Sequence, residues 1–244
     1  MTKEQSIGEQ HRYMELRHML EGLFRSMSHL KVEGKEHIAN FQGPAILYSP
    51  HWCAVDFVGT GSAIDRFLKF TYKKQHNAST GALASWMGMY AGGIPINDGR
   101  QFYQEVFEAF DKNQIVFIYP EGDTNLGKPA VGKPIADIIK ITKAYERHNK
   151  RLSKKRPEVA IIPSGLEYIL PPVKIPWPVT TPIPWATRLV VRFGEPIYPS
   201  QHPEWNMDDY MRIIAKLSNR PYVGDRGLEP PTSRSQTARS SQLS

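Results

Sequence analysis

Apolar residues fall along this chain in two kinds of pattern, and the two alternate. From Tyr13 the positions Leu16, Leu20, Leu23, Met27 and Leu30 recur at steps of three and four, with Glu15, Glu21 and Arg25 on other faces, which predicts an amphipathic helix over residues 13–30. That stripe suits packing on a core or lying in a membrane interface. The short run Ala45 to Tyr48, bounded by Gly43-Pro44 and Ser49-Pro50, predicts a buried strand and a turn, with Ser49 able to cap a helix that Pro50 opens. Phe102, Val106, Ala109 and Phe110 predict a second helix leading into the strand Ile115 to Tyr119. Val159 to Ile162 and Leu189 to Phe193 read as two further buried strands. The alternation predicts an α/β single domain with a largely parallel central sheet flanked by helices, its ligand site at the carboxyl ends of the strands.

The chain divides into three regions: an N-terminal amphipathic segment over 1–30, the folded domain over 31–220 and a disordered tail over 221–244. From Gly224 onward the tail has no aromatic residue and no periodic apolar pattern, and Gly-Leu-Glu-Pro-Pro-Thr-Ser resembles an antisense reading of a tRNA gene. It is set aside from function. The Pro-rich stretch Pro171 to Pro184 carries Trp177 and Trp185 and reads as a rigid loop or an aromatic anchor at a membrane interface.

Composition narrows the class. With 244 residues, 40% of them hydrophobic, the chain has ordinary globular content, and one cysteine, Cys53, excludes an internal disulfide or a cysteine-built zinc site. No apolar run of 18 residues is present, and the first ten residues lack a signal peptide's apolar core. A cytoplasmic protein, soluble or peripheral on the inner face of a membrane, is expected. The formal charge of +7 is local: eight bases from Lys140 to Arg156 stand against Glu146 alone, and account for the whole excess. Such a block is a solvated helix end or loop, or a patch for phosphates of a membrane surface, a nucleic acid or an anionic cofactor.

Candidate chemistry sits in the turns. His51 and Asp56 follow the first strand in S-P-H-W-C-A-V-D. If Pro50 opens a helix, His51 lies in its first turn, where the dipole disfavours the imidazolium and keeps a neutral base available. A carboxylate on one ring nitrogen would leave the other to take a proton from a hydroxyl, although five residues on an ideal helix do not share a face, so the pair needs a bend. Y-P-E-G-D-T-N presents Glu121 after the Ile115 strand, and Ile161-Ile162-Pro163-Ser164 reads as a third turn. Walker and G-x-S-x-G sequences are absent.

The order H-x4-D, then G-G-I-P-I-N-D, then Y-P-E-G, then I-I-P resembles the four blocks of the PlsC-type glycerolipid acyltransferases (1-acyl-sn-glycerol-3-phosphate acyltransferases). Val32 to Glu36 and Val190 to Ile197 resemble the family's flanks, so the likeness runs over roughly residues 30–217. It implies transfer of a fatty acyl group from coenzyme A or acyl carrier protein to a hydroxyl of a lysolipid acceptor, lysophosphatidic acid by default. It implies that no metal is needed; the basic block, with Trp177 and Trp185, would then hold the protein on an anionic membrane surface, and no cofactor or nucleic acid is expected. By the same likeness His51 is the general base, Asp56 orients it, and Cys53 is a bystander. Glu121 and Gly122 position the acceptor, Lys73 meets an anionic group, and Ile162 and Pro163 shape the site floor.

Two departures bear on the acceptor. Asp98 stands where the family has an arginine in its second block, and Asp123 and Thr124 stand where the third reads T-R-S. The missing arginine forks disfavour a phosphate monoester unless Arg100 and Lys73 supply the contacts, so a neutral or zwitterionic acceptor gains weight. Two competing readings come from other classes: a non-catalytic phosphate-patch protein binding a membrane or nucleic acid, and a thioester hydrolase.

Overall fold

The computed structural model describes residues 8, 11–19, 21–22, 29–52, 56–73, 89–122, 130–169, 173–174, 180–181 and 188–225. The elements in chain order begin with helical residues 11–19 (α1), β1 (His29–Glu33), α2 (Lys35–Ala39), β2 (Ala45–Tyr48) and α3 (Asp56–Ser62). They continue with β3 (Leu68–Tyr72), β4 (Ile94–Pro95), α4 (Gly99–Asp111), β5 (Ile115–Ile118) and α5 (Ile138–Arg151). The last are β6 (Ala160–Tyr168), the short pair β7 (Val173–Lys174) and β8 (Thr180–Thr181), β9 (Arg188–Phe193) and α6 (Met207–Leu217).

Seven strands form one sheet in the order β1-β9-β6-β2-β5-β3-β4. Among them the β6–β9 pair runs antiparallel and the other neighbours run parallel. β2 and β5 lie at the centre with every residue buried, as a strand covered on both faces requires. Their side chains alternate. Ala45, Leu47, Ile115 and Phe117 join the core beneath α1, α2 and α3, whereas Ile46, Tyr48, Val116 and Ile118 join the core beneath α4, α5 and α6. The expected α/β class with a largely parallel sheet is therefore the observed one.

Several local expectations change. The β6 strand runs straight through Ile161 to Ser164, where a turn was expected. Pro163 fits because the strand needs only its carbonyl, which accepts from Gly194 N at 2.8 Å. Gly165 lets α6 approach: a Cβ there would stand 2.3 Å from the Leu217 carbonyl carbon. Leu30 belongs to the parallel edge strand β1, not to the N-terminal helix. Helix α1 seats Tyr13 and Leu16 in the core, with Tyr13 edge-on to Phe67 at 5.0 Å. Its buried Arg17 reaches Asp65 at 2.6 Å and Lys35 reaches the same carboxyl at 2.5 Å, which pushes the Asp65 acid below its ordinary range.

The folded body also runs past residue 220. Tyr222 is buried and donates to Asp208, while Asp225 pairs with Arg212 at 2.8 Å. Cys53, Asp123, Thr124, Trp177, Trp185 and the residues from 226 lie outside the described residues. Among the described residues no helix is long and apolar enough to cross a membrane.

The basic block runs along α5 from Lys140 to Arg151 and on through residues 152–156 beyond it. After β5 the chain crosses at the carboxyl edge, and α5 then descends to the opposite edge, where β6 starts beside Ala45. Lys154 and Arg156 there approach Asp111 at 4.0 and 3.6 Å, just before β5 begins. The block thus descends with α5 and ends at the amino pole of the sheet.

Candidate active site

The register sets the site. Tyr48, the last residue of β2, lies level with Ile118 of β5 and Pro163 of β6, so the loops after β2 and β5 leave the sheet side by side. One chain continues to α3 and β3 on one side, the other to α5 and β6 on the far side. Such a divergence leaves a crevice at the carboxyl edge.

His51 and Trp52 lie in irregular backbone, and the described helix begins only at Asp56. The expectation that His51 sits in a helical first turn is therefore corrected. Irregular backbone at His51 and Trp52 is consistent with the pair meeting despite the five-residue spacing. His51 Nδ1 lies 3.1 Å from Asp56 Oδ2, and because an ionised carboxylate only accepts, Nδ1 carries the hydrogen. Nε2 is left as the basic nitrogen.

Asp56 is wholly buried. Its burial is tolerable because both oxygens are occupied. Oδ2 also accepts from Trp52 N at 2.5 Å, and Oδ1 accepts from the Tyr168 hydroxyl at 2.7 Å. The His51 ring stacks on Tyr119, with centroids 3.9 Å apart and planes 13° from parallel, while its side chain stays 18% exposed. The imidazole is thus fixed by tautomer, by ring plane and by an open side.

Glu121, expected to position the acceptor, is engaged within the protein. Its buried carboxylate accepts from His51 N at 2.6 Å and from Gly132 N, tying the β2 loop to the segment entering α5. Gly122 comes next with φ of +71° and donates to Tyr119 O at 3.1 Å, a conformation that favours glycine. Both residues hold the shape of the site.

The remaining candidates separate. Pro163 is buried in the sheet directly below the His51 loop. Lys73 is exposed at the end of β3, two strands over, about 10 Å by strand spacing. Asp98 is the N-cap of α4: its carboxylate accepts from Arg100 N at 2.8 Å and Gln101 N at 3.2 Å, so the acid in the arginine's place has a structural task. Arg100 is exposed in that first turn. Among the described residues no three His, Cys, Asp or Glu side chains form a metal-binding group.

Tyr168 and Arg220 were not anticipated. Tyr168 lies on a β6 stretch whose Pro-Ser-Gly sequence reads as a turn, and only the strand's continuation brings its hydroxyl back to Asp56. Arg220 comes from the far end of the chain. Its guanidinium lies 4.1 Å from the Trp52 ring centre and donates to Ala130 O at 2.9 Å. Burial holds that guanidinium below its ordinary value, against the opposing pull of Glu121 and Asp56.

A His–Asp pair held in this way at the carboxyl edge of an α/β sheet has the geometry that general acid–base chemistry uses. The family model described as Acyltransferase matches residues 29–163, more than half of the chain, and the chain belongs to that family. Among solved structures it is similar to PlsC, the 1-acyl-sn-glycerophosphate (LPA) acyltransferase from Thermotoga maritima. That similarity has a TM-score of 0.62 and 16% sequence identity, and covers 90% of this chain and 83% of that one. It shows a shared fold. No curated protein matches the chain. Tyr168 and Arg220 both lie beyond the segment that the family model matches.

Proposed function

We propose that this acyltransferase moves a fatty acyl group from a thioester of coenzyme A or acyl carrier protein to a hydroxyl of a lysoglycerolipid-like acceptor. The observation that carries the proposal is the His51–Asp56 pair, with a buried carboxylate on Nδ1 and Nε2 left for the acceptor. Nε2 removes the hydroxyl proton as the oxygen attacks the thioester carbonyl carbon. The tetrahedral intermediate collapses by breaking the C–S bond, and the imidazolium returns the proton to the departing thiolate. Asp56 stabilises the imidazolium during the interval. The Tyr168 and Trp52 contacts keep the carboxylate aimed, so little reorganisation is needed at the moment of reaction.

Lysophosphatidic acid is the family's default acceptor, and the activity by which the Thermotoga neighbour is named agrees with it. Asp98 in the arginine's place supports a neutral or zwitterionic head group as well as, or ahead of, a phosphate monoester. We assign contact with an anionic membrane surface to the exposed bases of α5, screened by salt as exposed charges are.

The decisive experiment supplies labelled acyl-coenzyme A or acyl carrier protein together with a panel of lysolipids. It tracks free thiol and identifies the product by mass. Thiol release that requires the acceptor, gives an acylated lysolipid and disappears in His51→Ala supports the proposal. Release without an acceptor makes the protein a hydrolase, and no release with any donor defeats the reading.

A further inference from the structure

The contacts around the site close into a ring. Trp52 N is bonded to Asp56, and the Trp52 indole is covered by the Arg220 guanidinium. Arg220 bonds Ala130 O, Gly132 N bonds Glu121, and the other oxygen of Glu121 bonds His51 N, which returns to the starting turn. The C-terminal segment is clamped to the same place by a two-bond bridge, from Val131 N to Pro221 O at 2.8 Å and from Val223 N to Val131 O at 3.0 Å. Trp52 also meets the Tyr168 ring edge-on at 5.5 Å, the ring whose hydroxyl bonds Asp56. Without Arg220 the ring of contacts is open at Trp52, and the C-terminal segment no longer touches the catalytic turn through it.

We propose that Arg220 is a positioning residue for the acyl transfer: it presses Trp52 onto Tyr168 and so holds the His51–Trp52 turn in register with Asp56. The inference rests on the proposed acyltransferase activity, and it adds to it a requirement for a residue outside the segment that the family model matches. Arginine suits the task because one planar guanidinium stacks on an indole and donates in its own plane to a carbonyl. A lysine ammonium has no flat face to do both. The cation also lies where Glu121 and Asp56 attract it, which limits the cost of its burial.

The test compares wild type with Arg220→Ala, Arg220→Lys and Arg220→Gln. Amide hydrogen exchange serves as a readout independent of activity. In Arg220→Ala, exchange should speed up at least tenfold in peptides covering residues 49–52 and 130–132, with the β6–β9 pairing unchanged. Turnover should fall about 10- to 100-fold at nearly constant KM for donor and acceptor, since misplacing a base costs kcat. Arg220→Lys and Arg220→Gln should not restore it, whereas added guanidinium should partly rescue Arg220→Ala. Unchanged exchange in both peptides overturns the proposal. A rise in acceptor KM with kcat intact also overturns it, because Arg220 would then be binding substrate. If wild type shows no transfer at all, the acyltransferase reading fails, and the exchange result still decides whether Arg220 holds the turn.

Discussion

The two ends of the sheet carry charge in opposite ways. At the carboxyl pole Asp56 and Glu121 are buried, and each oxygen of both meets a donor. On the way to the amino pole Lys143, Arg147, Lys150 and Arg151 are exposed along α5, spaced four, three and one residues apart. Lys150 and Arg151 also occupy the last turn, where any helix favours cations. Buried charge must be satisfied group by group, and so specifies a geometry; exposed charge acts as a sum, and no member is indispensable. The first arrangement is suited to catalysis and the second to attraction. Because they lie at opposite poles, the two should separate experimentally.

The largest effect should come from His51→Ala, with loss of transfer by about 10²- to 10⁴-fold while the far-ultraviolet circular dichroism and melting profile stay close to wild type. Asp56→Asn should cost less, because it disturbs the tautomer and leaves the base in place. A His51→Ala protein retaining a third of the wild-type rate would remove the catalytic pole from the comparison. Next, changing Lys143, Arg147, Lys150 and Arg151 together to Gln should weaken flotation with anionic vesicles about 10- to 100-fold at low salt, and much less at high salt. Turnover of a detergent-dispersed acceptor should stay within about twofold. If that turnover collapsed as well, the poles would be coupled and the separation wrong.

A smaller effect is expected from Glu121→Gln. Its two oxygens accept from two backbone N–H groups, and an amide can accept only one of these while turning its NH₂ toward the other. Charged hydrogen bonds of this kind contribute about 1.5–3 kcal/mol. Turnover should therefore fall about tenfold and thermal stability decline, both readable from one preparation. Equal rates in Glu121→Gln and wild type would show that the carboxylate does not hold the His51 loop.

The sequence made some of this legible and hid the rest for physical reasons. β2 and β5 stand out because a strand buried on both faces must be an unbroken apolar run between turn residues. β3 carries Lys69 and Thr71, and β1 is an edge strand with Lys31 and Glu33, so neither shows such a run. His51 and Asp56 were readable because they lie close together in the chain and resemble a family block. Tyr168 and Arg220 reach the same carboxylate or its neighbour from 112 residues beyond Asp56 and from the chain's far end, and no local pattern marks a contact made only by folding. Asp98 shows the converse. A residue read as a change in substrate preference is engaged as a helix cap, and its consequence for the acceptor passes through the absent arginine and not through the acid's own contacts.

The smallest expected effect tests the comparison with half-buried carboxylates in place of fully buried ones. Arg192 on β9 meets Glu33 of β1 at 2.7 Å and Glu167 of β6 at 2.6 Å, joining three strands at the sheet's edge. Lys31 and Arg192 hold the Glu33 carboxyl below its ordinary range, and Asn219 with Arg192 does the same for Glu167. Carboxyls depressed in the folded state contribute stability that is present above their unfolded pKa and is lost as pH falls through their folded values. The urea midpoint should therefore drift down between neutral pH and the acid side of the carboxylate range, and Glu167→Gln should flatten part of that slope. Because these side chains are partly open to solvent, the flattening should be slight and should shrink with added salt, which marks a screened pair. A slope as steep as that of a buried carboxylate, unmoved by salt, would mean that this edge cluster is as specified as the catalytic pole, and the contrast between buried and exposed charge would no longer organise the molecule.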